Sequence, residues 1–273
     1  MKVTLPLTKF HTRLRVAGYG QKGHRAMDDL IRRAAEDLAA AGNVAALTGA
    51  GISIESGIPP FRGKGGLWER FDPMEFAHID ALTQDPAKVW KVLVREMKEI
   101  VDRAKPNDGH KGLTKLEAQG KLKTIITQNI DGLHQAAGST DVIEYHGTFV
   151  WQRCMDCHKK YETRKVDTSE IPPRCECGGI LRPDAVFFGE TIPVEAMWHS
   201  RQAAADCDLM LVVGTSAMVQ PAAMIPVIAK DNGAKIVEIN PERTPLTNEI
   251  SDYLIMGGAG EVLNGIVAAL EKI

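Results

Sequence analysis

Four of the five cysteines crowd into one short stretch, as Cys154-Met-Asp-Cys157 and, after seventeen intervening residues, Cys175-Glu-Cys177. Each pair fits on a single turn, so four thiolates can converge tetrahedrally on one ion. Zinc is the first expectation for such paired knuckles, and an iron–sulfur cluster is the alternative that uses the same ligands. Four protein sulfurs leave no coordination position open for water. The metal is therefore expected to hold its segment together rather than to perform chemistry. The odd total and the crowding argue against a disulfide framework and for a reducing compartment. Cys207 stands apart, just before the apolar run Leu209 to Val213, and reads as a buried structural thiol.

A second candidate is Gly49-Ala50-Gly51-Ile52-Ser53, where an apolar run passes straight into glycines. That strand-to-turn-to-helix grammar occurs where α/β sheets bind phosphate, but the third glycine of G-x-G-x-x-G is missing, since position 54 is Ile. Taken alone, the turn reads as an ordinary tight connection. His146 after a strand reads, alone, as a satisfied core or surface histidine. Asn129 and Asp131 read as Asx turn chemistry, above all Asp131 before Gly132.

The elements that must carry these residues alternate. Leu30, Ala34, Leu38 and Ala41 fall at helical spacing over 27–41, with Gly42 at the stop. Apolar strands are expected at Leu122 to Thr127, Val142 to Tyr145, Ala185 to Phe188, Leu209 to Val213, Ile236 to Ile239 and Tyr253 to Met256. The fold class that follows is α/β, a doubly wound parallel, Rossmann-like sheet. Two stretches interrupt it and are read as insertions that build a smaller zinc-binding domain over the carboxyl edge of the sheet. The first, 61–105, is a glycine-rich flexible loop followed by a helix that Asp85 caps, with Pro86 first and Val89, Val92, Leu93, Met97 and Ile100 inward. The second, 150–181, holds the clustered cysteines. The sheet domain is then 27–60, 106–149 and 182–273. Gly109 and Gly112 fall in a helical stretch at a propensity cost that the sequence leaves unexplained.

With 273 residues, 44% of them hydrophobic, and a net charge of -2, the chain can bury a large core and offers no global field for nucleic acid. Sequence-specific nucleic-acid binding is not expected. No stretch approaches the ~18 consecutive apolar residues of a membrane span, and a cytoplasmic protein is expected. Residues 1–26 carry Lys2, Lys9, Arg13, Arg15, Lys22 and Arg25 and no acidic residue. This basic segment reads as a solvated arm, a targeting sequence or an edge strand, and no function is assigned to it.

The glycine turn does not stand alone. It precedes Gly57-Ile-Pro-Pro-Phe61-Arg62-Gly63, Thr127-Gln128-Asn129-Ile130-Asp131-Gly132-Leu133-His134, Tyr145-His146-Gly147, Val186-Phe187-Phe188-Gly189-Glu190 and Gly214-Thr215-Ser216. In that order, around a four-cysteine insertion, these motifs resemble the sirtuins, NAD-dependent protein deacylases, over about residues 28–270. The resemblance implies that NAD is consumed and that acetyl, or another neutral acyl group, leaves a protein lysine as O-acyl-ADP-ribose beside nicotinamide. It implies His146 as general base on the NAD ribose, with Asn129 and Asp131 orienting the nicotinamide amide and the ribose. It implies a cofactor site made of Gly49, Ala50, Gly51, Ile52, Ser53, Phe61, Arg62, Trp68, Gln128, Ile130, Gly214, Thr215 and Ser216, with Asn240, Glu242 and Ala259 towards the adenosine. Backbone amides of Gly49 to Ser53 would cradle the pyrophosphate. An acylated-lysine peptide would add as a strand between Val186, Phe187, Phe188, Gly189 and Glu190 on one side and the turn that includes Val219 on the other. His110 and His134 match family positions too and are read as structural.

One departure bears on specificity. Desuccinylating relatives carry Tyr-x-x-Arg on the helix after the flexible loop, and here the matching positions are Leu93 and Glu96; a shift of one offers Arg95, with Val92 as its partner. An apolar wall beside a negative charge favours neutral acyl groups over succinyl. A dehydrogenase would carry the complete glycine fingerprint. An ADP-ribosyltransferase is the nearer alternative, and Asn129 together with His146 favours deacylation over it. A zinc-knuckle binding module would explain the cysteines and leave the other motifs idle.

Overall fold

The computed structural model describes residues 21–63 and 65–273, so residues 1–20 of the expected basic arm lie outside the described part. The first helix, Gln21–Ala40, begins six residues before the expected start, inside the segment read as an arm. The strands of the described residues are β1 (Val44–Thr48), β2 (Leu122–Thr127), β3 (Val142–Glu144), β4 (Gly147–Cys154), β5 (Lys160–Glu162), β6 (Leu181–Ala185), β7 (Leu209–Val213), β8 (Lys235–Asn240) and β9 (Tyr253–Met256).

Six of them form one sheet in the order β3-β2-β1-β7-β8-β9, with every neighbour parallel. The runs Val44–Thr48 and Leu209–Val213 are buried at every position, as central parallel strands covered on both faces must be. Period-two alternation sends Val44, Ala46, Leu209, Leu211 and Val213 to one face, under the helices Gln21–Ala40, Asp108–Ala118 and Ala259–Leu270. Ala45, Leu47, Met210 and Val212 go to the other face, under the helices Val194–Asp206 and Ile225–Asp231. Strand order reverses between β1 and β7, which opens a crevice at the carboxyl ends of those two strands.

The glycines of the Asp108–Ala118 helix now have a physical reason. A Cβ on Gly112 would stand 2.8 Å from the Leu263 Cβ, and one on Gly109 would stand 3.0 Å from Ile52 Cγ1 and 3.2 Å from the Ala259 Cβ. Their helix lies directly on its neighbour and on the segment after β1, so close packing offsets a propensity loss of about 1 kcal/mol per glycine.

The smaller unit has two parts. Residues 86–103 form a helical run whose first turn is capped by Asp85, with Pro86 at the first position and a π-helical turn at Trp90–Val94. Val89, Leu93 and Met97 point inward as expected, joined by Trp90 and Val94, while Val92 and Ile100 are half-buried. The other part is an antiparallel sheet in the order β5-β4-β6. The indole Nε1 of Trp90 donates to the Leu181 carbonyl at 2.8 Å and ties the two parts together.

One strand expectation needs correction. Ala185 to Phe188 does not join the parallel sheet; the strand lies earlier, at Leu181–Ala185, and pairs antiparallel with β4. Each of these strands crosses the boundaries read from the cysteines, since β4 starts at Gly147 and β6 ends at Ala185. Residues 186–188 extend beyond the small sheet, and Phe188 makes an isolated parallel bridge to His78 instead.

Candidate active site

The crevice between β1 and β7 is built by glycines touching backbone. The Gly49 N–H donates to the Val213 carbonyl at 3.0 Å and the Gly51 N–H donates to the Gly214 carbonyl at 2.7 Å. A Cβ on Gly49 would stand 2.8 Å from that of Thr215, and a Cβ on Gly51 would stand 2.7 Å from the Gly214 Cα. Gly214 itself has φ +60, in the left-handed region. These glycines lock the turn after β1 onto the turn after β7. The expected cradle of successive amides is correspondingly narrow. The Ile52 N–H is also taken, by the Gly49 carbonyl at 3.2 Å, which leaves the amide of Ala50 for a ligand. The helix that follows is a 3₁₀ segment, Ala50–Ser56, rather than an α-helix.

Below the turn lies a hydrogen-bonded cluster. The Asn129 side-chain amide donates to the Ser53 hydroxyl at 3.1 Å and to the Gly49 carbonyl at 3.2 Å. Ser53 in turn donates to Asp131 Oδ2 at 2.7 Å, and Asp131 Oδ1 accepts from the Leu133 N–H at 2.9 Å. Burial pushes the Asp131 carboxyl above the usual carboxylate range, against those two hydrogen bonds. Thr48 and Thr127 stand beneath. Thr48 Oγ1 donates to Thr127 Oγ1 at 2.9 Å, Thr127 Oγ1 accepts from the Asn129 N–H at 3.1 Å, and His134 Nε2 lies 2.9 Å from Thr48 Oγ1. His110 reaches the same cluster, with Nε2 3.4 Å from the Ser53 hydroxyl. Its ring meets that of His134 edge to face at 4.9 Å. Burial lowers His110 to about 4 and His134 to about 3, so both rings are neutral supports. Thr48 is not singled out by the sequence motifs and Thr127 enters only as the head of one, although a polar residue closing each of two apolar strands at the same sheet edge is a readable signal.

His146 follows β3 and is half-buried. Its Nδ1 lies 3.1 Å from the Gln128 carbonyl. The side chain of Gln128 donates to Thr215 Oγ1 at 2.9 Å, so hydrogen bonds join the His146 region, the 128–131 segment and both glycine turns. Burial lowers the His146 imidazole below its ordinary value, and the Gln128 carbonyl partly opposes this. Phe61, Trp68 and Phe188 form an aromatic row, with ring centroids 5.3 Å and 6.0 Å apart. Ile130 joins the small-domain core, and its carbonyl accepts from the Phe149 N–H at 2.7 Å. Arg62 and Ser216 are exposed, Val186 and Val219 are half-buried, and Ala259 is buried at the start of its helix. The Asn240 side chain donates to the carbonyl of Glu242, whose own side chain is exposed.

The metal ligands converge as expected. Cys154 and Cys177 have sulfurs 3.6 Å apart, Cys157 and Cys175 have theirs 3.5 Å apart, and all four lie within 4.8 Å of one another. A tetrahedron with zinc–sulfur bonds of about 2.3 Å has edges of about 3.8 Å, so the donor set fits zinc with no ligand position left over. Cys207 is buried, donates to the Ala204 carbonyl at 3.3 Å, and has its thiol pushed up to about 12, first by burial and then by Asp208.

The model of the Sir2 family matches residues 49–221. A protein named NAD-dependent protein deacylase 2, from Pyrobaculum aerophilum, is 48% identical over 239 residues, 87% of this chain and 95% of that one. The chain belongs to the Sir2 family. A solved complex of a Sir2 homologue with NAD superposes with a TM-score of 0.81 at 44% identity, covering 90% of this chain and 94% of the other. A Sir2 complex with a p53 peptide and NAD+ superposes with a TM-score of 0.77 at 35% identity, covering 87% and 97%.

Within this Sir2-family framework the helix after the loop presents an apolar face. Leu93 is buried, Glu96 pairs with Arg70 at 2.5 Å, and Arg95 is exposed beside Glu99. Glu190, expected at the peptide site, has its carboxylate engaged elsewhere. It binds Arg182 through both oxygens, each at 2.6 Å, and accepts from the Phe187 N–H at 2.8 Å. Arg182 is 4% exposed, so this charge pair anchors the segment from below. Its backbone is partly committed too, with the Val186 N–H donating to the His146 carbonyl at 2.8 Å.

Proposed function

We propose that this cleft removes acetyl, or another neutral acyl group, from protein lysines, with His146 as its general base. The chain is an NAD-dependent protein deacylase of the Sir2 family, and the residue roles are the proposal. When bound, NAD supplies an electrophilic ribose carbon whose leaving group is nicotinamide, so that the acyl group ends on ADP-ribose.

One observation carries the assignment of the base. A carbonyl can only accept, so the 3.1 Å contact of His146 Nδ1 with the Gln128 carbonyl puts the ring hydrogen on Nδ1. Nε2 is left with its lone pair, and the lowered pKa keeps it available at neutral pH. Asn129 is held by Ser53 and the Gly49 carbonyl, so its amide enters the site already oriented. Asp131 is the polar partner of Ser53 and turns the segment through the Leu133 N–H. The donor set suits a dinucleotide at a switch point: the Ala50 amide, the hydroxyls of Thr215 and Ser216, and the exposed Arg62, while Ser53, whose hydroxyl donates to Asp131, supports the turn from below. Phe61 and Trp68 would shield the reacting sugar from water. Acylated-lysine peptides fit the seat between residues 186–190 and the turn holding Val219, through backbone hydrogen bonds that tolerate many sequences. No helix of the described residues is long and apolar enough to cross a membrane. A cytoplasmic site of action accords with four thiolates that need a reducing compartment.

The test is incubation with NAD and an acetyl-lysine peptide. Nicotinamide and O-acetyl-ADP-ribose should appear in equal amounts; NADH, or ADP-ribosylated protein without loss of acetyl groups, would overturn the reading. A succinyl-lysine peptide should turn over more slowly than its acetyl counterpart, because no arginine of the helix wall faces inward to meet its carboxylate.

A further inference from the structure

The segment assigned to the peptide is joined to the small domain by a short parallel bridge. The Phe188 N–H donates to the Ala77 carbonyl and the Ile79 N–H donates to the Phe188 carbonyl, each at 2.9 Å. His78 lies between those two residues and caps the helix Ile79–Gln84, with Nδ1 accepting from the Asp80 N–H at 3.2 Å. Serine, threonine, asparagine and aspartate serve as caps with fewer atoms. What the imidazole adds is a second nitrogen, and the cap decides its state. A neutral ring that accepts at Nδ1 carries its hydrogen on Nε2, and protonation places a hydrogen on both nitrogens.

That second nitrogen lies against Gly189. A Cβ built on Gly189 would stand 2.6 Å from His78 Nε2 and 2.8 Å from its Cε1, and the glycine has φ +86. Both the left-handed backbone and the edge of the ring require the absence of a side chain there. The His78 side chain keeps 19% of its surface open, and among the described residues no acceptor is bonded to Nε2. A donor of fixed tautomer therefore stands at the rim of the peptide seat.

We propose that His78 reads the substrate: its Nε2–H donates to a backbone carbonyl of the acylated peptide laid along Phe188–Gly189. The proposal rests on the peptide seat assigned above. A neutral carbonyl suits the position better than a carboxylate, because Asp80 Oδ2 lies 3.4 Å from Nδ1 and repels a further negative charge. A backbone carbonyl is present in every peptide, so the contact strengthens binding without selecting sequence.

His78→Ser keeps a good cap and removes the Nε2 donor. In steady-state kinetics with an acetyl-lysine peptide, its peptide KM should rise about five- to tenfold, the effect of one lost hydrogen bond. Its kcat, its KM for NAD and its melting temperature should stay at the wild-type values. An unchanged peptide KM overturns the proposal. So does a rise in the KM for NAD together with a lower melting temperature, which would make His78 a support of its helix alone. Titration of a fluorescent acetyl-lysine peptide measures affinity directly. Wild-type protein that binds this peptide without turnover would remove the deacylase roles, while the affinity difference between wild type and His78→Ser would still judge the donor.

Discussion

The carboxyl edge of the parallel sheet and the cysteine module meet at the same cleft, yet they are held together by different means. The sheet edge rests on two extensive apolar layers, and its polar groups bond one another before any ligand arrives: Ser53 to Asp131, Asn129 to Ser53, Gln128 to Thr215. The core around the cysteines consists of Cys154, Cys175 and Leu181, with Tyr161 and Val166 partly buried against it. So small an apolar cluster offsets little of the entropy of ordering this end of the three strands, although Phe149 of β4 reaches the neighbouring helical core, and four metal–thiolate bonds supply the rest. One half of the cleft is thus organised by its fold and the other by an ion.

That contrast is most sharply tested at the chemistry. His146→Ala should lower turnover by about 10²- to 10⁴-fold, the range for loss of a positioned general base, while NAD binding measured by calorimetry stays near wild type. Weak NAD binding in this variant would show that the imidazole shapes the sheet edge rather than serving as a base on it. In the wild type, the midpoint of the acid limb of kcat/KM should lie below the ordinary imidazole value of 6.5, because burial lowers the His146 imidazole. The next largest effect belongs to the module. Cys175→Ser, or removal of zinc by a chelator, should unfold residues of the small sheet and reduce turnover at least tenfold, with the parallel sheet intact. Hydrogen exchange followed by mass spectrometry would show protection lost over 150–181 and kept in β1, β2 and β7. A single cooperative collapse of both regions would erase the contrast.

How much of this was legible beforehand follows the same division. Parallel strands buried on both faces write themselves as apolar runs, and Leu122–Thr127, Leu209–Val213 and Tyr253–Met256 lie where the pattern puts them. The cysteine spacing points to one ion, and the sulfurs converge as that spacing requires. The small sheet was harder to read. Leu181–Ala185 contains Arg182, Pro183 and Asp184, which hide a strand behind a polar pattern. The apolar residues just after it, Val186 to Phe188, drew the strand a few positions too late. Nothing in the chain announces that the Glu190 carboxylate is held by the buried Arg182, eight positions earlier. The same holds for Gly49 and Gly51. Glycine before a helix suggests open amides, whereas their neighbours across the sheet are revealed only when β1 and β7 pair.

Those glycines give a smaller effect that sharpens the comparison from the side of the sheet. Gly214→Ala places a Cβ against the backbone of Gly51 and Ile52 and forces a side chain into the left-handed region. Overpacking and conformational strain together should cost about 1–3 kcal/mol in urea unfolding and raise the KM for NAD. Gly233 is the control, since it has φ +94 and nothing within 4 Å of the added carbon. Gly233→Ala should therefore show the conformational part alone, about 1 kcal/mol, with the KM for NAD unchanged.

The gentlest probe is acid, and it acts on the buried histidine pair beneath Asn129. In the folded chain His110 titrates at about 4 and His134 at about 3, both lowered by burial, against an ordinary value of 6.5. Between pH 6.5 and 4 the unfolded chain takes up protons that the folded chain refuses, so unfolding becomes easier as pH falls. The stabilisation that this pair gives is complete above pH 6.5 and declines by about 1.4 kcal/mol per pH unit for each imidazole as the solution is acidified. His134→Gln removes one imidazole of the pair and should lessen the decline of the parallel-sheet transition by about 1.4 kcal/mol per pH unit, measured by urea unfolding at stepped pH. An unchanged slope would mean that His134 is protonated inside the fold, and the neutral hydrogen-bond chain from His134 through Thr48 and Thr127 to Asn129 would then have to be abandoned.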